Sequence, residues 1–145
     1  MACVLLAGTY FIFRSEVETI ERWQVATRIH YTLGGNQLMQ KGLYREAVQE
    51  FGKAIALQPD FAPAYNRLGM SYAILQDYEQ AEKKFNKVIE LSPGIDQGYL
   101  NLGLLYELKG EPGKAIPLLE KAFSLNPENP KTKVHLQKLK LRPPR

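Results

Sequence analysis

The stretch Phe51-Gly-Lys-Ala-Ile-Ala-Leu-Gln-Pro59 returns twice along the chain, as Phe85-Asn-Lys-Val-Ile-Glu-Leu-Ser-Pro93 and as Leu119-Glu-Lys-Ala-Phe-Ser-Leu-Asn-Pro127. Each copy lies 34 residues after the one before it. The same spacing aligns a tyrosine, a glycine and an alanine in every copy: Tyr31, Tyr65 and Tyr99; Gly35, Gly69 and Gly103; Ala47, Ala81 and Ala115. The sequence therefore divides into three repeats, residues 28–61, 62–95 and 96–129, and this kind of period is typical of proteins built from stacked units.

Each repeat carries the apolar spacing of two helices. Positions 4, 7, 8 and 11 fall on one stripe of a first helix, and positions 20, 24 and 27 fall on one stripe of a second. Small residues at positions 8 and 20 let the two helices approach closely, and Pro59, Pro93 and Pro127 end each second helix. One hairpin cannot bury its own apolar face, so the pattern predicts an all-α stack of three helical hairpins.

One residue conflicts with this pattern. Pro117 lies inside the second helix of the third repeat, where proline removes a backbone hydrogen bond. We expect either that this helix begins late, with Pro117 in its first turn, or that it bends there.

The repeat resembles that of the tetratricopeptide repeat (TPR) family, whose pattern runs from an aromatic residue through Leu-Gly, Tyr, Ala, Phe and Ala to Pro. The second repeat matches best, through Tyr65, Leu68-Gly69, Tyr72, Ala81, Phe85, Val88 and Pro93. The first repeat departs from the pattern at Gly34 and Leu38, which replace Leu and Tyr. The resemblance covers residues 28–129 and implies a right-handed α-α superhelical solenoid whose first helices line a concave groove.

The end of the chain is basic. Of the 19 lysines and arginines, six lie in residues 131–145, which hold no acid, whereas residues 1–130 hold the other 13 and all 15 acidic residues. We interpret residues 130–145 as a basic capping helix and tail, with Val134, Leu136 and Leu139 covering the third repeat. Lipid or nucleic-acid contact through this tail is an alternative. Nucleic acid is disfavoured, because the tail has no aromatic residue on which bases could stack.

The beginning of the chain is apolar. Residues 1–14 contain no charged side chain before Arg14. The run is shorter than the roughly 20 residues that span a bilayer, so we interpret it as part of a bacterial membrane anchor. A helix packed on the repeats and a short signal core are the alternatives for this segment. For the location of the protein, the alternative to membrane association is the cytoplasm. Ser15-Glu-Val-Glu18 has the pattern of a capping box, which predicts that a new helix begins there and leads through residues 15–27 into the first repeat.

The sequence offers no arrangement of residues suited to catalysis. Cys3 is the single cysteine and has no basic neighbour to activate it. His30 and His135 have no acidic residue at metal-ligand spacing, so each is interpreted as an ordinary surface residue. No glycine-rich phosphate loop is present. We therefore expect no enzyme activity, no cofactor and no metal.

The family resemblance places the groove on those positions of the first helices that lie about 130° from the packed stripe. The predicted groove residues are Ile29, Thr32, Asn36, Met39, Asn66, Arg67, Met70, Ala73, Gln97, Leu100, Asn101 and Leu104. Methionines and leucines can bury apolar side chains of a partner, and amides can hydrogen-bond a peptide backbone. These residues predict that a protein or peptide segment binds in the groove.

Some members of this family hold the acidic C-terminal tail of chaperones with a clamp of lysine, arginine and asparagine. At the clamp positions this chain has Thr32, Asn36, Arg67, Gln97 and Asn101, of which only Asn36 agrees. A chaperone tail is therefore disfavoured. The sequence predicts a non-catalytic interaction scaffold that assembles or tethers a complex, with a self-associating structural oligomer as the alternative.

Overall fold

The computed structural model describes the backbone of residues 2–141 and the side chains of residues 17–141. Within these residues the chain forms seven α-helices and no strand. The helices are α1 (Ala2–Gln40), α2 (Tyr44–Leu57), α3 (Ala62–Ile74), α4 (Tyr78–Leu91), α5 (Asp96–Leu108), α6 (Pro112–Leu125) and α7 (Pro130–Lys140).

Consecutive helices pack as hairpins that stack on one another. The hairpins are α1–α2, α3–α4 and α5–α6; each is joined to the next by contacts of α2 with α3 and of α4 with α5, and α7 packs on α6. The result is an all-α, right-handed superhelical solenoid of three helix-turn-helix repeats with a C-terminal capping helix. The prediction of the fold is confirmed.

The glycine at position 8 of each repeat is required by the close approach of the two helices. A Cβ atom on Gly35 would lie 2.6 Å from Cε1 of Phe51, and one on Gly69 would lie 2.6 Å from the same atom of Phe85. A distance below 3.0 Å between a Cβ atom and a non-bonded heavy atom is essentially never observed in proteins. The alanines at position 20 are fully buried in all three repeats, so both small positions do what the sequence predicted.

The turns inside the three hairpins share one backbone conformation. Gly42, Gln76 and Gly110, which are 34 residues apart, have φ angles of 77°, 63° and 76°. In each turn this residue donates its N–H to the carbonyl three residues back, and the next residue donates to the carbonyl five residues back. This pair of bonds is the Schellman motif, which favours glycine at the left-handed position. The second repeat has glutamine there.

The apolar core runs the length of the stack. Ala47, Phe51 and Leu68 form its first part, and a larger cluster from Ala81 to Leu139 forms the rest. Of the three residues predicted to cover the third repeat, Leu139 is buried and Leu136 packs against the cluster. The prediction for Val134 is wrong: its side chain is 60% exposed, and the fully buried Thr132 faces inward instead.

The structure contradicts the new helix predicted at Ser15 and the first of the two alternatives for Pro117, the late start of its helix; it leaves the predicted bend at Pro117 untested. Helix α1 runs without a break through Ser15, because no proline interrupts residues 2–40 and a capping-box residue can also lie inside a helix. Helix α6 begins at Pro112, so Pro117 lies in its interior and not in its first turn.

The predictions for the two ends of the chain fall largely outside the described residues. The side chains of residues 1–16 and the whole of residues 142–145 are not described. Among the described residues, no helix has an apolar stretch long enough to cross a membrane.

Candidate functional site

The first helices of the hairpins form one layer of the solenoid. Helix α1 contacts α3, and α3 contacts α5, in addition to the packing within and between hairpins. This layer carries all of the predicted groove residues, and we call its open face the groove. The side chains that reach it come from α1, α3 and α5.

Three amide side chains link α3 and α5 across the groove. Gln97 Nε2 donates to Asn101 Oδ1 at 2.9 Å, and Asn101 Nδ2 donates to Asn66 Oδ1. We call this chain of bonds the amide network. It fixes all three side chains and leaves the NH₂ group of Asn66 and the carbonyl oxygen of Gln97 outside the two bonds. Such a network can offer both a donor and an acceptor to an extended peptide.

Helix α1 brings two more predicted residues to the groove. Thr32 is half-buried and its hydroxyl donates to the carbonyl oxygen of Arg28 at 2.9 Å, so its proton is used within the helix. The Oδ1 atom of Asn36 is buried and accepts no hydrogen bond from the described residues. A buried acceptor without a donor costs about 1–3 kcal/mol, so a ligand N–H or a water molecule at Asn36 would be stabilising.

The side chain of Arg28, one helical turn before Thr32, makes contacts with residues beyond helix α1. Its guanidinium lies 4.4 Å from the ring centroid of Phe61 and donates to Oε1 of Gln58. Arg28 therefore ties the start of the first repeat to the link between the first two repeats. Its Nε atom is buried and donates no hydrogen bond to the described residues.

The apolar groove residues differ in how far a partner could reach them. Met39, Met70, Ala73 and Leu104 are half-buried, and Ile29 is exposed. Leu100 is not part of the open surface, because its side chain is only 2% exposed and belongs to the core cluster. A leucine at this position gains by leaving water, whereas Thr32 and Asn66, at the same position of their repeats, stay half-buried.

A cavity of about 220 Å³ opens between α3 and α5. Its lining consists of Met70, Ala73, Ile74, Phe85, Asn101, Leu104, Leu105 and Leu108. Four of these were predicted as groove residues; Ile74, Phe85, Leu105 and Leu108 were missed. The aligned repeats held a signal for the cavity, since position 12 is Met39 in the first repeat and the smaller Ala73 in the second.

Helix α7 closes the groove at its C-terminal end. Glu107, which follows Leu104 by one helical turn, is 2.6 Å from Nδ1 of His135 and 2.8 Å from Nζ of Lys138. Burial alone raises the pKa of Glu107, but the hydrogen bonds from Lys138 and His135 outweigh it and hold the pKa below its ordinary value. The interpretation of His135 as an ordinary surface residue is therefore wrong.

The last of the predicted groove residues, Arg67, is exposed at the margin of the groove. In the part of the chain that the structure describes, no three histidine, cysteine, aspartate or glutamate side chains gather as a metal ion would require. The absence of a catalytic or cofactor site stays a prediction.

Stacked helical hairpins of 34 residues with an open layer of first helices define the class of α-helical solenoid proteins. Family profiles described as "Tetratricopeptide repeat" and "TPR repeat" match residues 60–128 and 35–76, respectively. The chain belongs to the tetratricopeptide repeat family. A sequence search of curated proteins finds no match.

Solved structures of TPR domains have the same fold. The first TPR domain of Spaghetti (RPAP3), bound to the HSP90 peptide SRMEEVD, is 20% identical, with a TM-score of 0.75 over 79% of this chain and 91% of that one. The second TPR domain of human RPAP3, in complex with the HSP70 peptide SGPTIEEVD, is 24% identical, with a TM-score of 0.75 over 82% and 99%. The TPR domain of Arabidopsis OM64 is 22% identical, with a TM-score of 0.77 over 81% and 97%.

Proposed function

We propose that this protein is a non-catalytic scaffold that binds a peptide or protein segment along the groove and so assembles or tethers a complex. The amide network carries the proposal. It places fixed donors and acceptors of Asn66, Gln97 and Asn101 beside half-buried apolar side chains. Fixed polar groups next to apolar surface are what recognition of an extended segment requires. The two RPAP3 domains with bound peptides support a groove of this kind.

The partner that we propose is not an acidic chaperone tail. The clamp positions hold Thr32, Gln97 and Asn101 where that clamp needs other residues, and Arg67 is the one cation among them. Two carboxylates would lose water here with only Arg67 to pair with. Calorimetry with the peptide SRMEEVD is expected to show no saturable binding. Saturable binding that is lost in Asn36→Ala would overturn this part of the proposal.

A capture experiment tests the groove itself. The full-length protein would be the bait, and a variant with Asn66→Ala, Met70→Glu and Leu104→Glu would be compared with it. A variant with Ala56→Glu and Ser124→Glu, both at exposed positions of second helices, is the matched control. We expect a protein captured by the wild type and the control to be lost by the groove variant. Equal capture by all three would move the binding site away from the groove.

Electrostatic binding through the basic tail is less well supported. Three of its lysines pair with carboxylates of the protein: Lys133 with Glu128 at 3.5 Å, Lys138 with Glu107 at 2.8 Å and Lys140 with Glu120 at 2.8 Å. Paired lysines attract phosphates less than free ones do. Arg142 and Arg145 lie outside the described residues.

Attachment to a membrane through residues 1–14 remains our proposal for location. It rests on the apolar composition of that segment. Carbonate extraction of the full-length protein tests it: the protein should stay with the membrane pellet, and complete release into the supernatant would count against an anchor.

A further inference from the structure

The cavity between α3 and α5 has the size of a benzene ring or more. Its volume is about 220 Å³, and it is wide open to solvent on the side of the groove. An enclosed engineered cavity of about 150 Å³ holds benzene, so this cavity has room for an aromatic ring that enters from the groove. The cavity opens to the groove beside Asn101, the central member of the amide network. A segment that hydrogen-bonds the network could therefore place one side chain in the cavity.

The repeats explain why the cavity is found at this place. The residues that correspond to its lining, one repeat earlier, include Met39 for Ala73, Arg67 for Asn101 and Ser71 for Leu105. Between α1 and α3, then, a large side chain stands where Ala73 is small, a charged side chain replaces the amide of Asn101, and the polar Ser71 replaces the apolar Leu105. The cavity is a property of the second and third repeats and not of the repeat pattern in general.

The lining favours an aromatic occupant. Seven of its eight side chains are apolar and the eighth is the neutral amide of Asn101, so a charged side chain would lose its hydration without a partner. The ring of Phe85 offers an aromatic neighbour, and such pairs are more favourable than the burial of their area alone. The thioether of Met70 offers a favourable sulfur–aromatic contact. An aliphatic side chain gains neither contact.

We propose that the segment bound in the groove anchors itself by one aromatic side chain inserted into this cavity. The inference rests on the proposed function, because it names the side-chain class that the groove selects. The carbonyl oxygen of Asn101 can accept a second hydrogen bond, which allows a tyrosine hydroxyl or an indole N–H at the cavity rim. Partners are thus peptides with an exposed aromatic residue and no charge beside it.

Small probes test the cavity without knowledge of the partner. N-acetyl-L-phenylalaninamide, N-acetyl-L-leucinamide and N-acetyl-L-glutaminamide would be titrated into the full-length protein with labelled methionine and leucine methyl groups. We expect saturable shifts at Met70, Leu104, Leu105 and Leu108 with the phenylalanine probe. Its affinity should exceed that of the leucine probe by about tenfold, the equivalent of about 1.4 kcal/mol. Equal affinities, or saturable shifts outside these residues only, would overturn the inference.

A variant that copies the first repeat provides the control. Ala73→Met places in the second repeat the residue that the first repeat holds at Met39, so the fold has a precedent for it. We expect it to fill the cavity and lower the affinity of the phenylalanine probe by about tenfold or more. Ala56→Met, at an exposed position of α2, should leave that affinity unchanged. Unchanged affinity in Ala73→Met with an unaltered unfolding temperature would contradict the inference.

The two proposals fail in different ways. If Ala73→Met has no effect on capture of a partner that the Asn66, Met70 and Leu104 variant loses, the groove binds a segment but the aromatic anchor is wrong. A second outcome is also possible. If the phenylalanine probe binds the wild type but not Ala73→Met, while the groove variant captures every partner that the wild type captures, the cavity binds aromatic side chains and the scaffold proposal is wrong.

Discussion

At the scale of single residues, the three hairpin turns allow glycine and glutamine to be compared in the same backbone conformation. Gly42, Gln76 and Gly110 adopt the same left-handed conformation, but only Gln76 has a Cβ atom that crowds the backbone there. No Cβ clash with surrounding atoms would arise at Gly42 or Gly110. The difference between glycine and glutamine at these positions therefore comes from backbone strain in the folded state and from the greater freedom of glycine in the unfolded chain, and not from steric clashes.

Exchange of residues between the turns should have opposite effects. Gln76→Gly is expected to raise the free energy of unfolding by about 1 kcal/mol, because it relieves the left-handed strain. Gly110→Gln should lower it by a similar amount. Urea unfolding followed by circular dichroism measures both. Changes of the same sign in the two variants would show that the strain argument is wrong.

At the scale of helices, Pro117 is the residue that most clearly destabilises the helix in which it lies. Because it lacks an N–H, the carbonyl of Gly113 one turn earlier has no helical partner, and the exposed position of both residues leaves that carbonyl to water. Pro112, in contrast, occupies the first turn of α6, where its missing N–H matters little.

The two prolines of α6 thus give a matched pair. Pro117→Ala is expected to stabilise the protein by about 1–3 kcal/mol, since proline in a helix interior costs about 3 kcal/mol relative to alanine. Pro112→Ala should change stability by less than about 0.5 kcal/mol. Thermal and urea unfolding of both variants would check this. Equal effects would mean that the interior position of Pro117 carries no special cost.

The docking of α7 should depend on pH through Glu107. Its pKa in the folded protein lies below its ordinary value of 4.5, because its hydrogen bonds to Lys138 and His135 outweigh the burial of its side chain, which is only 11% exposed. A carboxyl group of this kind stabilises the fold fully above its ordinary value, and the contribution is lost as the pH falls through the folded value.

The comparison with Glu107→Gln isolates this contribution. The variant should be less stable than the wild type at neutral pH, and the difference should shrink as the pH falls below about 4.5. Urea midpoints over a pH series give the result, and subtraction removes other carboxylates such as Glu79 and Glu111, whose pKa values are also lowered by hydrogen bonds to lysines. A difference that stays constant with pH would contradict the role of Glu107.

At the scale of the whole molecule, the features that the sequence predicted best are those that occur in all three repeats. The hairpins and the glycine contacts could be predicted, because three copies in register hold the same small and large residues. The capping helix could be predicted from the apolar residues within the basic segment that follows the third repeat. Features that belong to one repeat follow less directly from the sequence. The burial of Leu100 and the pairing of Glu107 with α7 depend on which helices flank a position, and periodicity does not encode that. For the cavity, the change from Met39 to the smaller Ala73 was the one signal.

Helix α1 is the largest departure from the repeat. The second helix of its hairpin has 14 residues, whereas α1 has 39. Side chains 17–26 are all exposed, and they include Val17, Ile20 and Trp23. The start of α1 thus presents apolar side chains to water in the single chain. We expect these side chains to be covered in the assembled state, either by a second copy of the chain or by a lipid surface to which residues 1–14 would attach it.

Trp23 can report on this, because it is the only tryptophan and is 71% exposed. In dilute solution we expect its emission to match that of N-acetyl-tryptophanamide and to shift little in urea, while the helical circular dichroism signal is lost. If a second copy covers α1, the emission should move to shorter wavelength as protein concentration rises, and Trp23→Ser should abolish the association. If a lipid surface covers it, vesicles should produce the shift at constant concentration. A short-wavelength emission that neither dilution nor removal of lipid reverses would contradict the exposed position of Trp23.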